Sequence, residues 1–275
     1  LGVARWREVA AQLDDPGVAH FARSLADGPV GRALLDPLFA NSPFLGDCLL
    51  SDAAFLKTIL ERGPNQILTT TLADLRQELF GKTDRALVMR ELRKAKRRAA
   101  LTIGLADIFA TWDLEQVTNA LTDFAECALS IAISHLLGKI ASTGVIALPH
   151  SDDPERDSGL VVLGMGKLGS RELNYSSDID LILLYDRERI RGSDDERIHQ
   201  AFVRLARELV AMLEERTADG YVLRTDLRLR PDPGITPLAM PVAVAESYYG
   251  SVGQNWERAA MIKARPVAGD REAAQ

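Results

Sequence analysis

Cysteine is scarce, basic charge is not in excess, and no long apolar run marks this sequence. Two cysteines, Cys48 and Cys127, lie far apart in 275 residues and match no metal-ligand spacing, so reduced, structural thiols are the expectation. Acidic residues outnumber basic ones, 39 to 33, giving a formal net charge of −6, whereas a general nucleic-acid-binding face would be basic. The longest nearly apolar stretch, residues 127–137, is broken by Ser130, Ser134 and His135 and is too short to span a bilayer. No signal-peptide pattern opens the chain. These absences set the expectation of a cytoplasmic protein with neither nucleic acid nor membrane as a partner. The chain does not begin with Met and stops soon after Pro266-Val267-Ala268-Gly269, so a piece of a longer protein is expected.

What is present suffices for two domains or one large one, since 47% of the residues are hydrophobic. Residues 1–150 read as helices. Leu114, Val117, Leu121, Phe124, Ala128 and Ile131 recur at three- and four-residue steps, and Leu87, Leu92, Ala95, Ala99 and Ile103 mark another helix over 84–112. Shorter helices precede them, separated by Asp27-Gly28-Pro29, Asn41-Ser42-Pro43 and Gly63-Pro64-Asn65. The polar stretch 149–158 is the expected domain boundary, between 1–150 and 151–275. Beyond it the pattern turns to mixed α and β. Strands are expected at 160–163, 179–185 and 221–230, with a helix marked by Ile198, Phe202, Leu205, Leu209 and Met212. The third strand places Tyr221, Leu223, Thr225, Leu227 and Leu229 on one face, with Arg224, Asp226, Arg228 and Arg230 on the other. Further helices are expected at 242–249 and from Trp256 through Arg265. The fold class is α+β.

Asp178-Ile179-Asp180 heads the apolar run 181–185. Alternate residues of a strand share a face, so two like charges would lie side by side at the edge of a buried strand. They repel and are costly to desolvate, and a cation between them removes that cost. Just upstream lies Gly164-Met165-Gly166-Lys167-Leu168-Gly169-Ser170. A Walker A loop requires Ser or Thr after Gly166-Lys167, and Leu168 stands there. A dinucleotide fingerprint fits the glycine spacing. The short gap from Gly169 to Ile179 argues against it, because a parallel crossover needs a dozen or more residues. The favoured reading is a strand, a Gly-Ser turn, one or two helical turns and a strand beginning Asp-x-Asp. Gly166 and Gly169 let the backbone approach a phosphate, amides of the short helix point at it, Ser170 adds a hydroxyl and Lys167 a charge. Asp178 and Asp180 would hold Mg²⁺ against the phosphate, and Asp226 on a neighbouring strand would complete the site. Two ions about 3.5–4 Å apart would serve an in-line displacement. Arg228 would then neutralise phosphate charge, and Lys263 and Arg265 could reach a nucleotide phosphate. The bland alternative for Asp226 is a salt bridge to Arg224 or Arg228. The basic run Arg90, Arg93, Lys94, Lys96, Arg97 and Arg98 reads as a solvated helix face, and His135 as a satisfied core histidine.

Gly164-Met165-Gly166-Lys167-Leu168-Gly169 followed by Arg171-Glu172-Leu173-Asn174-Tyr175-Ser176-Ser177-Asp178-Ile179-Asp180-Leu181 resembles the signature of the bifunctional glutamine synthetase adenylyltransferase/adenylyl-removing enzymes. That family lies in the DNA polymerase β-like nucleotidyltransferase superfamily. Asp226-Leu227-Arg228-Leu229-Arg230-Pro231 and residues 256–265 are similar to later family motifs, in the same order. The resemblance covers residues 159–269 specifically and Asn41-Ser42-Pro43-Phe44-Leu45 less so. It implies a helical region followed by a polymerase β-like catalytic domain, with a small mixed sheet flanked by helices. Family members carry two such catalytic domains. The long helical lead, with Met165 and Asn174-Tyr175-Ser176-Ser177, looks more like the N-terminal half, which removes AMP from a tyrosine of glutamine synthetase by phosphorolysis, giving ADP. The other half adds AMP from ATP. Ser170 stands where many members have a second Gly. The resemblance further implies metal ligation by Asp178, Asp180 and Asp226, glutamine synthetase as protein substrate, phosphate and ADP or ATP as small partners, and the PII signal protein acting through the longer enzyme. Addition of AMP by the same kind of site, and a non-catalytic nucleotide-binding module, are the alternatives.

Overall fold

The computed structural model describes residues 2–192 and 194–274. Its helices are α1 (Gly2–Gln12), α2 (Pro16–Asp27), α3 (Pro29–Asn41), α4 (Pro43–Ser51), α5 (Ala53–Arg62), α6 (Pro64–Leu79), α7 (Arg85–Ile108), α8 (Leu114–Ser142), α9 (Gly166–Gly169), α10 (Asp195–Glu214), α11 (Val242–Ser251) and α12 (Asn255–Ala260). Its strands are β1 (Ile146–Ala147), β2 (Leu160–Gly164), β3 (Ile179–Tyr185), β4 (Arg191–Gly192), β5 (Thr225–Asp226), β6 (Ala239–Pro241) and β7 (Arg265–Gly269). The change from helix to strand falls near residue 146. The compact units divide differently: one holds Leu1–Asp74 with Ala95–Val117, the other Leu75–Lys94 with Thr118–Gln275. The sheet therefore shares its unit with the end of α6, the start of α7 and most of α8.

In the first unit the breakers of the sequence become helix starts. Pro16, Pro29, Pro43 and Pro64 each open a helix, where the missing N–H is no loss. Trp6, Leu35, Leu38, Leu49, Leu56 and Leu101 form the core, and the buried Trp6 indole N–H is satisfied by the Ala22 carbonyl at 2.8 Å.

In the second unit β2 lies between β3 and β7 and is antiparallel to both. β3 pairs in parallel with β5 at its start and with β6 at its end, which makes the sheet mixed. β1 and β4 form a separate antiparallel pair. Since β2 and β3 run antiparallel, the βαβ unit of a dinucleotide-binding fold is excluded. α10 buries Ile198, Phe202, Leu205, Leu209 and Met212, the five positions its periodicity marks. Phe202 stacks on Tyr185 of β3 at a centroid distance of 5.0 Å. The apolar segment 127–137 belongs to the 29-residue α8, which by length and composition could cross a membrane. Its Phe124, Ala128, Leu129, Ala132, Ile133 and Leu136 are buried as core.

Three expectations are corrected. The strand expected over 221–230 is reduced to Thr225–Asp226. Val222 and Leu223 give their amides to the Leu213 carbonyl at the end of α10, and Asp226 closes a turn by accepting the Arg228 amide at 2.8 Å. The helix expected from Trp256 to Arg265 stops at Ala260, passes through a 3₁₀ turn at Met261–Lys263 and becomes edge strand β7. The basic run of α7 is not one solvated face. Arg93 is fully buried and donates to the carbonyls of Gly220 and Met89, each at 2.8 Å, and to those of Met212 and Glu215. It thereby satisfies orphan carbonyls at the C-terminus of α10.

Candidate active site

β2 delivers the chain into a turn that leads directly to the carboxylates. The Met165 amide donates to the Asp180 carbonyl at 2.9 Å, which fixes the start of the turn to the neighbouring strand. Gly166 follows with φ of +52°, and a Cβ there would sit 3.3 Å from Asp180 Oδ2, so the glycine is needed both for its conformation and for this approach. Gly169 is needed for contact alone: a Cβ would lie 1.7 Å from the Lys263 carbonyl oxygen. Between them α9 makes a single turn, with Lys167 exposed. Ser170 closes it, its hydroxyl 2.8 Å from the Gly166 carbonyl and 3.0 Å from Glu172 Oε2.

β3 begins at Ile179, one residue later than the Asp-x-Asp pair. Asp180 is inside the strand and half-buried, in parallel register with Asp226 of β5. Burial raises the Asp180 pKa above the ordinary carboxylate value, and the neighbouring charges of Asp226 and Asp178 push the same way; Arg228 and Lys167 offset only part of this. Asp226 moves oppositely, because Arg228 grips both its oxygens, with Nε at 3.0 and 2.9 Å from them. Asp178 is turned to Arg224, whose Nε lies 2.5 Å from Oδ1 and whose Nη2 reaches the Ser176 carbonyl. Of the two salt bridges offered as the bland alternative for Asp226, the one to Arg228 is formed, whereas Arg224 pairs with Asp178 instead.

The structure thus brings Asp180 and Asp226 together beside the Gly-Ser turn, with Asp178 adjacent but engaged. Among the described residues no three His, Cys, Asp or Glu side chains converge in metal-ligating geometry. The donor chemistry suits a hard divalent cation: oxygen ligands only, including a desolvated carboxylate held between like charges. Arg228 and Arg224 now supply the countercharge such an ion would supply. Lys263 Nζ contacts Glu172 at 3.0 Å, two residues from Ser170. Arg265 is committed elsewhere, to the carbonyls of Gly169 and Leu168 and to Glu126. Sequence reasoning passed over Glu126, Arg171 and Glu172. Glu126 lies on α8, far along the chain from the turn, and only Arg171 and Glu172 carried a signal, their place just after the Gly-Ser pair.

A cavity of about 1300 Å³ lies apart from the aspartates, lined among others by Phe80, Lys82, His135, Lys139 and Glu155. His135, expected as a core residue, stands half-buried at its wall, Nδ1 3.0 Å from the Lys82 carbonyl.

A family model described as glutamate-ammonia ligase adenylyltransferase matches residues 33–275. The chain is similar to proteins named bifunctional glutamine synthetase adenylyltransferase/adenylyl-removing enzyme. It is 46% identical to the one from Rhizobium meliloti (strain 1021) over 264 residues, 94% of this chain and 27% of that protein. It is 43% identical to that of Xanthobacter autotrophicus over 98% of the chain and 28% of the relative, and 47% identical to that of Brucella suis biovar 1 over 86% and 24%. The chain thus spans about a quarter of the length of the curated relatives it matches.

Proposed function

The chain belongs to the glutamate-ammonia ligase adenylyltransferase family, and from that premise we propose that it removes AMP from an adenylylated tyrosine of glutamine synthetase by phosphorolysis, releasing ADP. The observation that carries the reading is the register of Asp180 against Asp226 beside the Gly166–Ser170 turn. Two carboxylates in register on parallel strands, beside a glycine turn that approaches one of them, suit phosphoryl chemistry.

Residues 151–275 carry the catalytic groups in this proposal, and 1–150 form the helical lead. Asp178, Asp180 and Asp226 would hold Mg²⁺, which when bound neutralises charge and aligns an in-line displacement at phosphorus. Gly166, Lys167, Gly169, Ser170 and Lys263 would bind the phosphate groups, joined by Arg228 on release from Asp226. An oxygen of inorganic phosphate attacks the α-phosphorus of the AMP–tyrosine diester. The new P–O bond makes ADP, the bond to the tyrosine oxygen breaks, and the electron pair leaves on tyrosinate. The side chains position the partners and neutralise charge, and no nucleophilic side chain takes part. The reaction would run in the cytoplasm, without nucleic acid or membrane, and the PII signal protein would act through regions beyond this chain.

The names of the relatives join addition and removal of AMP, which favours a second reading: ATP-dependent adenylylation by the same site. Two incubations separate the directions. The protein is mixed with adenylylated glutamine synthetase, Mg²⁺ and phosphate, and separately with unmodified glutamine synthetase, Mg²⁺ and labelled ATP. ADP release in the first is the expected result. Transfer of label in the second alone reverses the direction, and silence in both leaves a nucleotide-binding module.

A further inference from the structure

The Gly-Ser turn is held from behind. On α8, Asn119, Asp123 and Glu126 recur at steps of four and three and present one face. Arg171 lies across that face, with Nε 2.9 Å from Asn119 Oδ1, Nη1 3.2 Å from Glu126 Oε1, and Nη2 on Asp123. Its backbone φ is +60°, a conformation that residues with a Cβ rarely adopt, two positions after Gly169. The same Glu126 oxygen receives Arg265 Nη2 at 2.5 Å. Arg265 in turn donates from Nε to the Gly169 carbonyl at 2.9 Å and from Nη2 to the Leu168 carbonyl at 3.1 Å. One carboxylate, 15% exposed, therefore holds two guanidiniums, one carrying the exit of the turn and the other gripping the carbonyls at the end of α9.

We propose that Glu126, with Arg171 and Arg265, forms a clamp that positions the Gly166–Ser170 turn against Asp180, and that Arg265 serves the reaction as a positioning residue rather than as a phosphate ligand. The clamp rests on the reading of that turn as the phosphate-binding element. Its geometry accounts for three features together. Arg265 opens β7 directly opposite Gly164, the last residue of β2, so its backbone is fixed to the strand that feeds the turn. Its Nε and both hydrogens of Nη2 go to protein acceptors, so neither of its two-pronged edges is free for a nucleotide. Arg171 keeps its unfavourable φ because three acceptors on α8 hold its side chain. Glu126 is the shared member, its Oε1 accepting from both arginines.

The test replaces Glu126→Gln, which preserves shape and removes the charge, and in a second variant Arg265→Lys, which preserves charge and loses the fork. Amide hydrogen exchange is read at residues 166–172, with 160–164 and 179–185 as the internal reference. Steady-state removal of AMP is read as KM for phosphate and KM for adenylylated glutamine synthetase. In both variants exchange at 166–172 is expected to accelerate about tenfold while the reference strands keep their protection. KM for phosphate rises about tenfold and KM for the protein substrate stays unchanged, because loosening the turn misplaces phosphate alone. Parental exchange at 166–172 in either folded variant overturns the clamp. So does acceleration spread equally over the reference strands, or a loss confined to the KM of the protein substrate. A parent protein that removes no AMP counts against the functional reading by itself, and the exchange pattern then decides the clamp. If Glu126→Gln does not fold, Arg265→Lys carries the same outcomes.

Discussion

Asp180 is a carboxylate whose charged form the fold disfavours. Its pKa is raised, so the neutral form suits the folded state better than the charged form. The stability this linkage provides is complete below the ordinary aspartate value of 3.8 and is lost as pH rises through the elevated folded value. At pH 7 without metal the ionised side chain therefore weakens the fold. Asp180→Asn is expected to abolish AMP removal while its metal-free melting temperature at pH 7 equals or exceeds that of the parent, the advantage vanishing as the buffer is taken below about pH 4. A markedly lower melting temperature at pH 7 would show Asp180 to be a structural residue. Asp226 has the reverse sign: Arg228 depresses its pKa, so its contribution is present above the ordinary value and disappears as pH falls through the depressed one. Gly166 belongs to the same scale. Gly166→Ala places a Cβ at φ +52° and against Asp180. It should cost ~1–2 kcal/mol in a urea melt. The rate of AMP removal should fall by on the order of tenfold to a hundredfold, since an ångström of misplacement is enough for that. A full-rate Gly166→Ala protein would separate the turn from the chemistry.

Among the elements, the helices of the second unit explain how so small a sheet is held. Arg93 of α7 donates to the Met212 and Glu215 carbonyls at the C-terminal end of α10, which the helix itself leaves unpaired. Arg93→Met keeps the apolar stem and removes every donor, and should destabilise the protein by about 3 kcal/mol in chemical denaturation. A change within about 0.5 kcal/mol, the range of ordinary surface substitutions, would return Arg93 to the solvated face that the sequence suggested. Legibility was uneven at this scale. α10 was readable because its five core positions repeat with the helical period and need no partner to be recognised. β3 was readable because an apolar run after paired acids is a local pattern. The strand over 221–230 misled, since its alternation was real but Asp226 and the α10 terminus took the amides that a ladder needs. β7 was invisible for a related reason. Arg265-Pro266-Val267-Ala268-Gly269 has no alternation of its own, and only β2 makes it a strand.

For the molecule as a whole, the residues proposed for the chemistry were legible as candidates and those proposed to position them were not. Asp178, Asp180, Asp226 and the glycines announce themselves by type and spacing. Glu126 and Arg171 act through contacts that span many residues of chain, and no local pattern records such contacts. The compact units behave likewise: α7 and α8 read as unbroken helices, yet each contributes residues to both units. The most direct test of the account is transfer of label from radioactive inorganic phosphate into ADP, with adenylylated glutamine synthetase and Mg²⁺, by the parent and by Asp180→Asn side by side. The account predicts labelled ADP from the parent and none from the variant at equal folded concentration. Equal labelling by both, or labelled ADP from neither, would contradict it.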